Sequence, residues 1–425
     1  MKKKIKILFT NLSYLNHNYG TQAITFSLMD KLNKHFDAEY TIILHEKYYK
    51  DNILFSKKYN FNIVTCPSFP IMLGWHYFFI NIPYNLIYLL KNKTIITKDE
   101  KRRYSVLVEE LKKSDVVIDL SGIEFIGNRR FKNKWWDYMN IIYMQCLSKK
   151  YNKPYFKFTK SYGPFPDKIY RFFVKKSLNN LPFIFVRGKD NLKFVRELNI
   201  KTPIYSFPDI SIGLAPESKN WAIDYITNNV GLDFSKPIVG FSPSFVINEM
   251  APNYIRLCKE TIKFFQLKDR QVLLIPHSLG DGKDSESCDL ALSKKIYSEL
   301  ESQKGTFIIS DMTLTYKQVR AIIGLLNFYI TGRYHSISSA LSMGVPVVSF
   351  SWHTKYKDIM SLFLDDFLVI DRGTTSVKES LLLIKKYYNN RQWFNREEVL
   401  KRKEEAIREI DKSINILVKE IKKYI

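Results

Sequence analysis

The sequence predicts an α/β fold made of two doubly wound, Rossmann-like domains followed by a helical C-terminal extension. Short apolar runs alternate with amphipathic segments along most of the 425 residues, which is typical of parallel sheets covered by helices on both faces. The alternation pauses between Leu214 and Asp233, and a new apolar run begins at Ile238. From Thr374 onward the chain is highly charged, with apolar residues at helical spacing. We therefore predict domains at 1–215 and 216–372, and helices at 373–425 that pack back on them.

The first domain is expected to begin with a strand from Ile5 to Thr10. A helix from Gly20 to about Phe36 follows, because Ile24, Leu28 and Leu32 recur four residues apart along one face. Further strands are expected at 40–44, 61–65, 115–120, 155–159, 183–186 and 204–207, and further helices at 100–113, 135–149, 169–178 and 189–198. This repeated alternation predicts a parallel sheet.

The second domain repeats the alternation. Strands are expected at 238–241, 272–275, 306–309, 328–330, 346–350 and 366–370, and helices at 254–265, 316–326 and 336–343. Glycine or proline closes several of these runs, as at Gly344 and Pro346. The chain therefore predicts a second sheet of the same kind.

The formal net charge of +24 restricts the partners that we expect. A basic surface suits an acidic substrate or an anionic membrane, although a compositional preference for lysine explains the charge equally well. The lysines are spread along the chain and no nucleic-acid-binding motif accompanies them, so we expect no nucleic acid partner. The four cysteines lie far apart, which predicts neither a zinc site nor a disulfide framework and favours a reduced, cytoplasmic protein. The basic N-terminus leads into a single strand-length apolar run, and we interpret it as a strand rather than a secretion signal.

An apolar, aromatic segment at 69–90 stands apart from this alternation. The stretch from Tyr59 to Leu90 contains no Asp, Glu, Lys or Arg, and basic residues follow it directly. Three interpretations remain open: a segment in the membrane interface, a buried packing surface, or a membrane-spanning helix. Pro70, Gly74 and Pro83 argue against an uninterrupted spanning helix.

The candidate functional residues concentrate in strand-to-helix turns. Arg333, Tyr334 and His335 lie between an apolar strand and a helix that opens at Ser336. In a doubly wound sheet this is the carboxyl edge, where ligands bind, and the helix N-terminus adds free backbone N–H groups. An arginine, a histidine and a helix N-terminus together favour a phosphate or carboxylate ligand.

Other turns of the same kind supply further candidates for the cleft. They are Tyr19, Gly20, Ser121, Gly122, Ser161, Gly163, Arg187, Ser244 and His277. Gly20 serves either a tight turn or close approach of the backbone to a ligand. Asp119 and Glu124 are either general bases or structural caps. No cluster of His, Cys, Asp and Glu has the spacing of metal ligands, so we expect no metal.

Several stretches, taken together and in order, resemble the polysaccharide pyruvyl transferase family. They are TGRYHSISSALSMGVPVVSFSWHTKYK (331–357), NHNYGTQAITFSLMDKL (16–32), SYGPF (161–165), VRGKDN (186–191) and FPDI (207–210). The resemblance implies a GT-B-like fold, phosphoenolpyruvate as the donor, and an acceptor sugar with two free hydroxyls that becomes a pyruvate ketal. The chain departs from the family pattern at Ser121, at Gly188 and at Trp352-His353.

The resemblance also suggests roles for individual residues. Arg187, Arg333, Tyr334, Ser336 and Ser244 are expected to bind the donor. His335, and second His277, are the candidates for proton transfer, because neutral pH suits histidine. Lys355 is expected in the cleft. No cofactor is needed beyond the donor.

The expected partners are phosphoenolpyruvate and a glycan or lipid-linked oligosaccharide. With the basic surface, this favours a cytoplasmic protein on the inner face of a membrane. Two other functions remain open. One is a nucleotide-sugar glycosyltransferase, which Ser339 disfavours because such enzymes usually carry a glutamate there. The other is a non-catalytic protein that binds polysaccharide or acts as a scaffold.

Overall fold

The computed structural model describes residues 2–12, 15–45, 49–66, 98–126, 134–165, 167–280, 288–371 and 375–425. The apolar segment at 69–90 lies outside the described residues, so the three interpretations of it stay predictions. Within the described part of the chain, no helix combines the length and the apolar character needed to cross a membrane.

The first half of the chain builds a five-stranded parallel sheet in the order β3-β2-β1-β4-β6. The strands of this half are β1 (Lys3–Thr10), β2 (Phe36–His45), β3 (Asn62–Cys66), β4 (Val116–Asp119), β5 (Ile123–Glu124), β6 (Tyr155–Lys157), β7 (Ser161–Tyr162), β8 (Ile184–Val186) and β9 (Ile204–Ser206). β1 is central, since Ile7 pairs with Tyr40 on β2 and with Val116 on β4. All four residues of β4 are buried, as expected for a parallel strand covered on both faces.

Helices cover both faces of this sheet. They are α1 (Tyr19–Leu32), α2 (Tyr49–Tyr59), α3 (Lys98–Lys113), α4 (Lys134–Lys150), α5 (Lys168–Leu178) and α6 (Lys189–Arg196). On one face, Ile24 and Leu28 of α1 pack with Ile7 of β1. On the other, α3, α4 and α5 share a separate core with Leu8 and Val117.

Helix α1 is shorter than the sequence predicted. The Asn18 side chain caps its start by accepting from Thr21 N at 3.0 Å, and the helix ends at Leu32. Its expected extension to Phe36 is wrong, because Phe36 is the first residue of β2 and pairs with Lys3. The pairing of β2 along the length of β1 overrides local helical preference at these residues.

Two short parallel pairs, β5–β7 and β8–β9, lie beyond the main sheet. A bridge between Lys160 and Val186 joins them to the chain that leaves β6. Arg187 N donates to Lys160 O at 2.9 Å, which fixes Arg187 where β8 ends. These pairs therefore bring the loops after β4, β6 and β8 together.

The second half of the chain builds a six-stranded parallel sheet in the order β12-β11-β10-β13-β14-β15. The strands are β10 (Ile238–Ser242), β11 (Gln271–Leu274), β12 (Thr306–Ile308), β13 (Phe328–Thr331), β14 (Val347–Ser351) and β15 (Val369–Asp371). The helices are α7 (Lys219–Tyr225), α8 (Phe245–Asn248), α9 (Tyr254–Leu267), α10 (Asp289–Ser298), α11 (Tyr316–Ile323), α12 (Tyr334–Ser342) and α13 (Lys355–Phe363). The unit β13–α12–β14 is the strand, turn, helix and strand that the sequence predicted.

A 3-10 turn at Ile210–Gly213 connects the two halves. Arg320 of α11 is buried and donates to Ser211 O at 2.7 Å and to Ile212 O at 3.3 Å, and it also contacts Leu214 O. These three carbonyls lie in the 3-10 turn and directly after it, and one buried guanidinium contacts all of them. The connection is thus held by the second domain.

Two helices follow the second sheet, α14 (Val377–Asn389) and α15 (Arg396–Ile421). α15 contacts α1, α12, α13 and the 3-10 turn. Its buried Ile410, Ile414 and Leu417 belong to the same core as Ile7 of the first sheet and Tyr329 of the second. The last helix therefore packs against both halves, while the exact domain boundaries at 215 and 372 stay predictions.

Candidate active site

Loops that follow strands of the two sheets meet between the two halves, at a place that we call the cleft, and backbone contacts tie them together. Asn18 and Ser278 form an antiparallel bridge, and Leu279 N donates to His17 O at 2.9 Å. Tyr19 N donates to His277 O at 3.3 Å. The first turn of α1 is thus held against the loop after β11.

Arg187 and Asp209 form the centre of the first-domain side. Arg187 follows β8 and is 5% exposed; its guanidinium pairs with Asp209 Oδ2 and donates to Gly122 O. Asp209 is buried, and its other oxygen accepts from Ser211 N at 2.8 Å. Burial by itself raises the pKa of Asp209, but Arg187 and His335 outweigh it and lower the pKa. Asp209 is therefore an ionised carboxylate at neutral pH.

Gly188, one of the departures from the family pattern, has a structural reason. Its φ is +81°, which favours glycine, and a Cβ built there would lie 2.3 Å from Asp358 Oδ2. Asp358 of α13 accepts from Lys189 N and Asn191 Nδ2, both at 3.0 Å. A carboxylate from the second domain thus occupies the N-terminus of α6.

His335 reaches the same carboxylate from the second domain. Its Nε2 lies 3.7 Å from Asp209 Oδ2, close enough for electrostatic attraction and too far for a hydrogen bond. Its ring packs on Gly20, where an added Cβ would lie 2.3 Å from Nδ1. Burial lowers the pKa of His335; Asp209 opposes this, while Arg187 and Lys355 add to it. The imidazole is therefore neutral at pH 7, and Gly20 makes room for a side chain of the protein itself.

Arg333 is held by an acid that sequence reasoning missed. Its Nε donates to Asp289 Oδ2 at 2.8 Å, and its Nη2 contacts Oδ1. Asp289 is the first residue of α10, is fully buried, and accepts from Ser278 N at 2.9 Å and Phe245 N at 3.0 Å. Three loops of the second sheet therefore meet at one carboxylate, with Arg333 directed by it.

His277 is enclosed between aromatic rings. Its ring lies edge-on to Tyr19 at 5.5 Å and to Tyr316 at 6.3 Å, measured between centroids. Burial lowers the pKa of His277 well below its usual range, and the nearby positive charges of Arg333 and Arg320 lower it further. His277 is therefore neutral, and it can exchange hydrogen bonds but cannot readily hold a charge.

Several polar atoms around the cleft are buried and have no hydrogen-bond partner among the described residues. They are Tyr19 OH, Ser161 Oγ, Arg187 Nε, Ser244 Oγ and both ring nitrogens of His277. Buried polar groups normally have partners, so a concentration of such atoms marks a place for a ligand or water. Ser244 lies at the start of α8, and Ser336 is buried in the first turn of α12.

Lys355 and Tyr334 line the cleft beside Arg187. Lys355 Nζ lies 4.6 Å from the centroid of Trp352 and 5.6 Å from that of Tyr334. The Arg187 guanidinium lies 5.5 Å from the same Tyr334 ring. Both cations therefore lie within cation–π distance of the Tyr334 ring. The neighbouring His353 faces Gly163 O at 3.2 Å, which brings the first domain to the rim of the cleft.

Below the Ser121–Gly122 turn lies a group that we call the buried quartet, formed by Asp119, Glu124, Lys157 and Lys160. All four side chains are fully buried. Lys157 Nζ lies 2.9 Å from Asp119 and 2.8 Å from Glu124, and Lys160 Nζ lies 2.8 Å from Glu124 and also contacts Asp119. Both acids are held in ion pairs, so this arrangement gives them a structural role.

The pKa values of the quartet diverge. Burial by itself raises the pKa of Asp119, but the two lysines outweigh it and the pKa falls well below its usual range. For Glu124, burial and the charge of Asp119 raise the pKa. Burial also lowers the pKa of Lys160, whereas for Lys157 the two carboxylates outweigh burial and raise it. Asp119 and Lys157 are thus the firmly charged pair.

Ser121 joins the quartet rather than the open cleft. Its Oγ donates to Glu124 Oε1 at 2.6 Å, and its carbonyl accepts from Lys160 Nζ at 3.1 Å. The next residue, Gly122, carries the carbonyl that Arg187 contacts. The quartet therefore supports the turn that supports Arg187.

The structure thus brings most sequence-predicted residues to one cleft and adds others. Asp209 and Asp289 were missed, as were the lysines of the quartet. Asp209 follows β9 at the same edge as Arg187, a position that could have identified it. Asp289 begins α10, a helix that was not predicted. No group of three or more His, Cys, Asp or Glu side chains in the described residues is arranged to hold a metal ion.

Solved structures share this architecture. The chain is similar to UDP-GlcNAc 2-epimerase from Methanocaldococcus jannaschii, with 11% identity, a TM-score of 0.51, and 94% of this chain and 98% of that chain covered. It is also similar to UDP-GlcNAc 2-epimerase from Neisseria meningitidis bound to UDP-GlcNAc, with 12% identity, a TM-score of 0.50, and 96% of this chain and 100% of that chain covered. A third similar structure is the spinosyn forosaminyltransferase SpnP, with 9% identity, a TM-score of 0.53, and 97% of this chain and 99% of that chain covered. These are GT-B fold proteins, so the predicted fold class is confirmed, and at such identities the likeness shows the fold alone.

Sequence comparison is more specific. No curated protein sequence matches the chain. The family model for polysaccharide pyruvyl transferase matches residues 18–354, which is most of the chain. That range contains every candidate cleft residue except Lys355, which follows it directly. The resemblance seen in the sequence is confirmed: the chain belongs to the polysaccharide pyruvyl transferase family and is a transferase.

Proposed function

We propose that the protein transfers the enolpyruvyl group of phosphoenolpyruvate to a sugar of a cell-surface polysaccharide, or to its lipid-linked precursor, as a ketal. The observation that carries the proposal is the convergence of Arg187, Arg333 and His335 on one cleft, beside the N-terminus of α12. Phosphoenolpyruvate carries a phosphate and a carboxylate, and arginine pairs with both groups in a bidentate geometry.

The two arginines are pre-positioned for such a donor. Asp209 and Asp289 hold their guanidinium planes, so little side-chain entropy is lost on binding. Arg187 keeps a buried Nε without a partner in the described residues. The N–H groups of the first turn of α12 and the Lys355 ammonium add positive potential. We assign anion binding to this set, together with Tyr334, Ser336 and Ser244.

His335 is the proposed proton-transfer group. It is neutral in the free protein because burial lowers its pKa. A bound phosphate raises that pKa again, because an opposite charge favours the protonated ring. The imidazolium then delivers its proton to the methylene carbon C3, and the vinyl double bond becomes a methyl group beside a cationic C2.

The two sugar hydroxyls complete the ketal. One oxygen attacks C2 and its proton passes to His335, which restores the imidazolium while phosphate is bound; the ring returns this proton to solvent when the phosphate leaves. The second oxygen then attacks C2 as the C2–O bond to phosphate breaks, and the departing phosphate takes its proton. Atoms balance as one donor and one diol giving one ketal and one inorganic phosphate. His277, which is neutral and enclosed, is assigned to hydrogen bonding of a hydroxyl or a water rather than to proton transfer.

Ligand-induced stabilisation tests the donor. Saturation at about 100 times the dissociation constant should raise the free energy of unfolding by roughly 2.7 kcal/mol, measured as a melting shift with phosphoenolpyruvate. Arg333→Ala should abolish the shift. Arg402→Ala is the control, because Arg402 lies near the start of α15, is 21% exposed against 18% for Arg333, and forms a similar paired contact at 2.8 Å with an exposed acid, Asp365.

Each alternative function predicts a different result. A shift with a nucleotide sugar and none with phosphoenolpyruvate would replace the proposed donor and favour a glycosyltransferase. Ser339 Oγ is buried and donates to Tyr316 OH at 2.7 Å, so no acid is present there to bind a ribose. Binding of polysaccharide without a shift from any donor would favour a non-catalytic role.

A further inference from the structure

Helix α5 carries a pair of exposed apolar side chains on its outer face. Its inner face is buried through Tyr170, Val174 and Leu178. On its outer face, Ile169 is 64% exposed and Phe172 is 62% exposed. These residues are three positions apart and therefore neighbours on the helix surface. Large apolar side chains so exposed on one stripe favour contact with another surface.

The apolar pair is surrounded by positive charge. α5 contains Lys168, Arg171, Lys175 and Lys176 and no Asp or Glu. The Asp167 side chain caps the helix by accepting from Tyr170 N at 2.8 Å. The neighbouring α6 adds Lys189, Lys193 and Arg196 together with Asp190, and Glu197 at its end lies 3.7 Å from Arg171. We call the surface formed by Lys168, Ile169, Arg171, Phe172, Lys175 and Lys176 the basic apolar face.

We propose that the basic apolar face docks the protein on an anionic lipid surface. A helix with apolar residues on its outer stripe and Lys or Arg beside them lies in the membrane interface, with the apolar side chains inserted and the cations among anionic headgroups. The pairing of two exposed apolar side chains with basic neighbours distinguishes α5 from α14. On α14, the exposed Leu382 stands alone among lysines, so it offers no second exposed apolar residue.

The position of α5 connects this surface to the cleft. The helix begins a few residues after Gly163, whose carbonyl contacts His353 at the rim of the cleft. α6 begins just after Arg187. A membrane bound to α5 would therefore lie beside the cleft, where a lipid-linked acceptor could enter. That last consequence rests on the proposed function, whereas lipid binding itself does not.

Vesicle co-sedimentation tests the proposal with the full-length protein. The wild type should bind vesicles of phosphatidylcholine mixed with phosphatidylglycerol and should not bind phosphatidylcholine alone. The double variant Ile169→Glu/Phe172→Glu should weaken binding by about tenfold or more, because two apolar side chains become two repelled anions. Leu382→Glu should bind like the wild type. About 0.5 M NaCl should release the wild type, since exposed charges are screened at that ionic strength.

Two results would overturn the proposal: no binding by the wild type, or equal binding by the wild type and the double variant. Light scattering without vesicles tests for a dimer. If the wild type is a dimer and the double variant is not, the face binds a second copy of the chain instead.

The melting shift with phosphoenolpyruvate separates the two proposals. If vesicle binding fails while the shift persists, the docking face is wrong and the proposed donor stands. If vesicle binding persists while the shift is absent, the docking face stands and the proposed donor is wrong.

Discussion

The buried quartet and the cleft cluster are two groups of buried charges in one molecule, and they differ in what remains unpaired. The cleft cluster consists of Arg187, Asp209, Arg333, Asp289 and His335. In the quartet, two lysines and two acids contact each other in every oppositely charged combination. In the cleft, the two arginine–aspartate pairs are accompanied by a neutral histidine, Lys355 and a helix N-terminus. Balanced buried charge therefore supports the fold, whereas surplus positive potential beside unpartnered polar atoms is the basis of the proposed anion site.

The largest expected effect is on the quartet. Asp119→Asn leaves two buried lysines with one carboxylate, and we expect the free energy of unfolding to fall by about 3–5 kcal/mol, as measured by urea denaturation. Lys160→Met should cost less, because Glu124 can take up a proton where its pKa is raised. The double variant Asp119→Asn/Lys160→Met restores the balance and should recover part of the loss. Equal losses in both single variants would contradict this account of the quartet.

A smaller effect should appear with pH, through the histidines of the cleft. The folded-state pKa values of His277 and His335 are lowered from 6.5. At these two histidines the unfolded chain therefore binds more protons below that pH, and the stability that they contribute above about pH 6.5 is lost as the pH falls. The slope is at most about 1.4 kcal/mol per pH unit for each histidine.

His277→Phe removes one titrating group while keeping a ring in the enclosure. Unfolding free energies measured at about pH 7.5 and 5.5 should differ less in this variant than in the wild type. The same slope in both proteins would mean that His277 is not buried in its neutral form. The quartet supplies the contrast, since Asp119 and Lys157 remain charged across this range.

The smallest effect on stability, and one confined to the cleft, is expected from Gly20→Ala. The added Cβ would lie 2.3 Å from His335 Nδ1, so the ring must leave its enclosed position, and burial is the largest cause of its lowered pKa. Its pKa should then rise toward the ordinary value, as followed by histidine NMR. The free energy of unfolding should change by less than about 1 kcal/mol, because alanine also favours the helix.

Gly213→Ala is the matched control for Gly20→Ala, since its Cβ would meet Ile407 at an ordinary 3.8 Å. A His335 titration that is unchanged in Gly20→Ala would show that the ring is not confined by α1. A titration that also changes in Gly213→Ala would assign the effect to the fold in general.

Much of the cleft was predictable because it depends on local order. Arg187, Arg333, His335 and His277 each follow a strand, and parallel strands place the residues after them at a shared edge. The pairings were not predictable, because Asp209 precedes His335 by more than a hundred residues and Asp289 lies on a helix that was not expected. The quartet was only half predictable. Asp119 ends a strand and Glu124 comes soon after it, so both acids are visible as candidates, whereas the burial of the two lysines depends on partners on another strand.

By itself the sequence determined the alternation of strands and helices, the membership of the family and the turn that carries Arg333 and His335. These features depend on periodicity and on short-range spacing, which a linear chain expresses directly. The tertiary structure decided that Gly20 makes room for His335, that Gly188 makes room for Asp358, and that four charges could be buried beneath Gly122. The reason is physical: burial and pairing depend on which distant atoms share a volume, and only the packed chain brings them within a few ångströms.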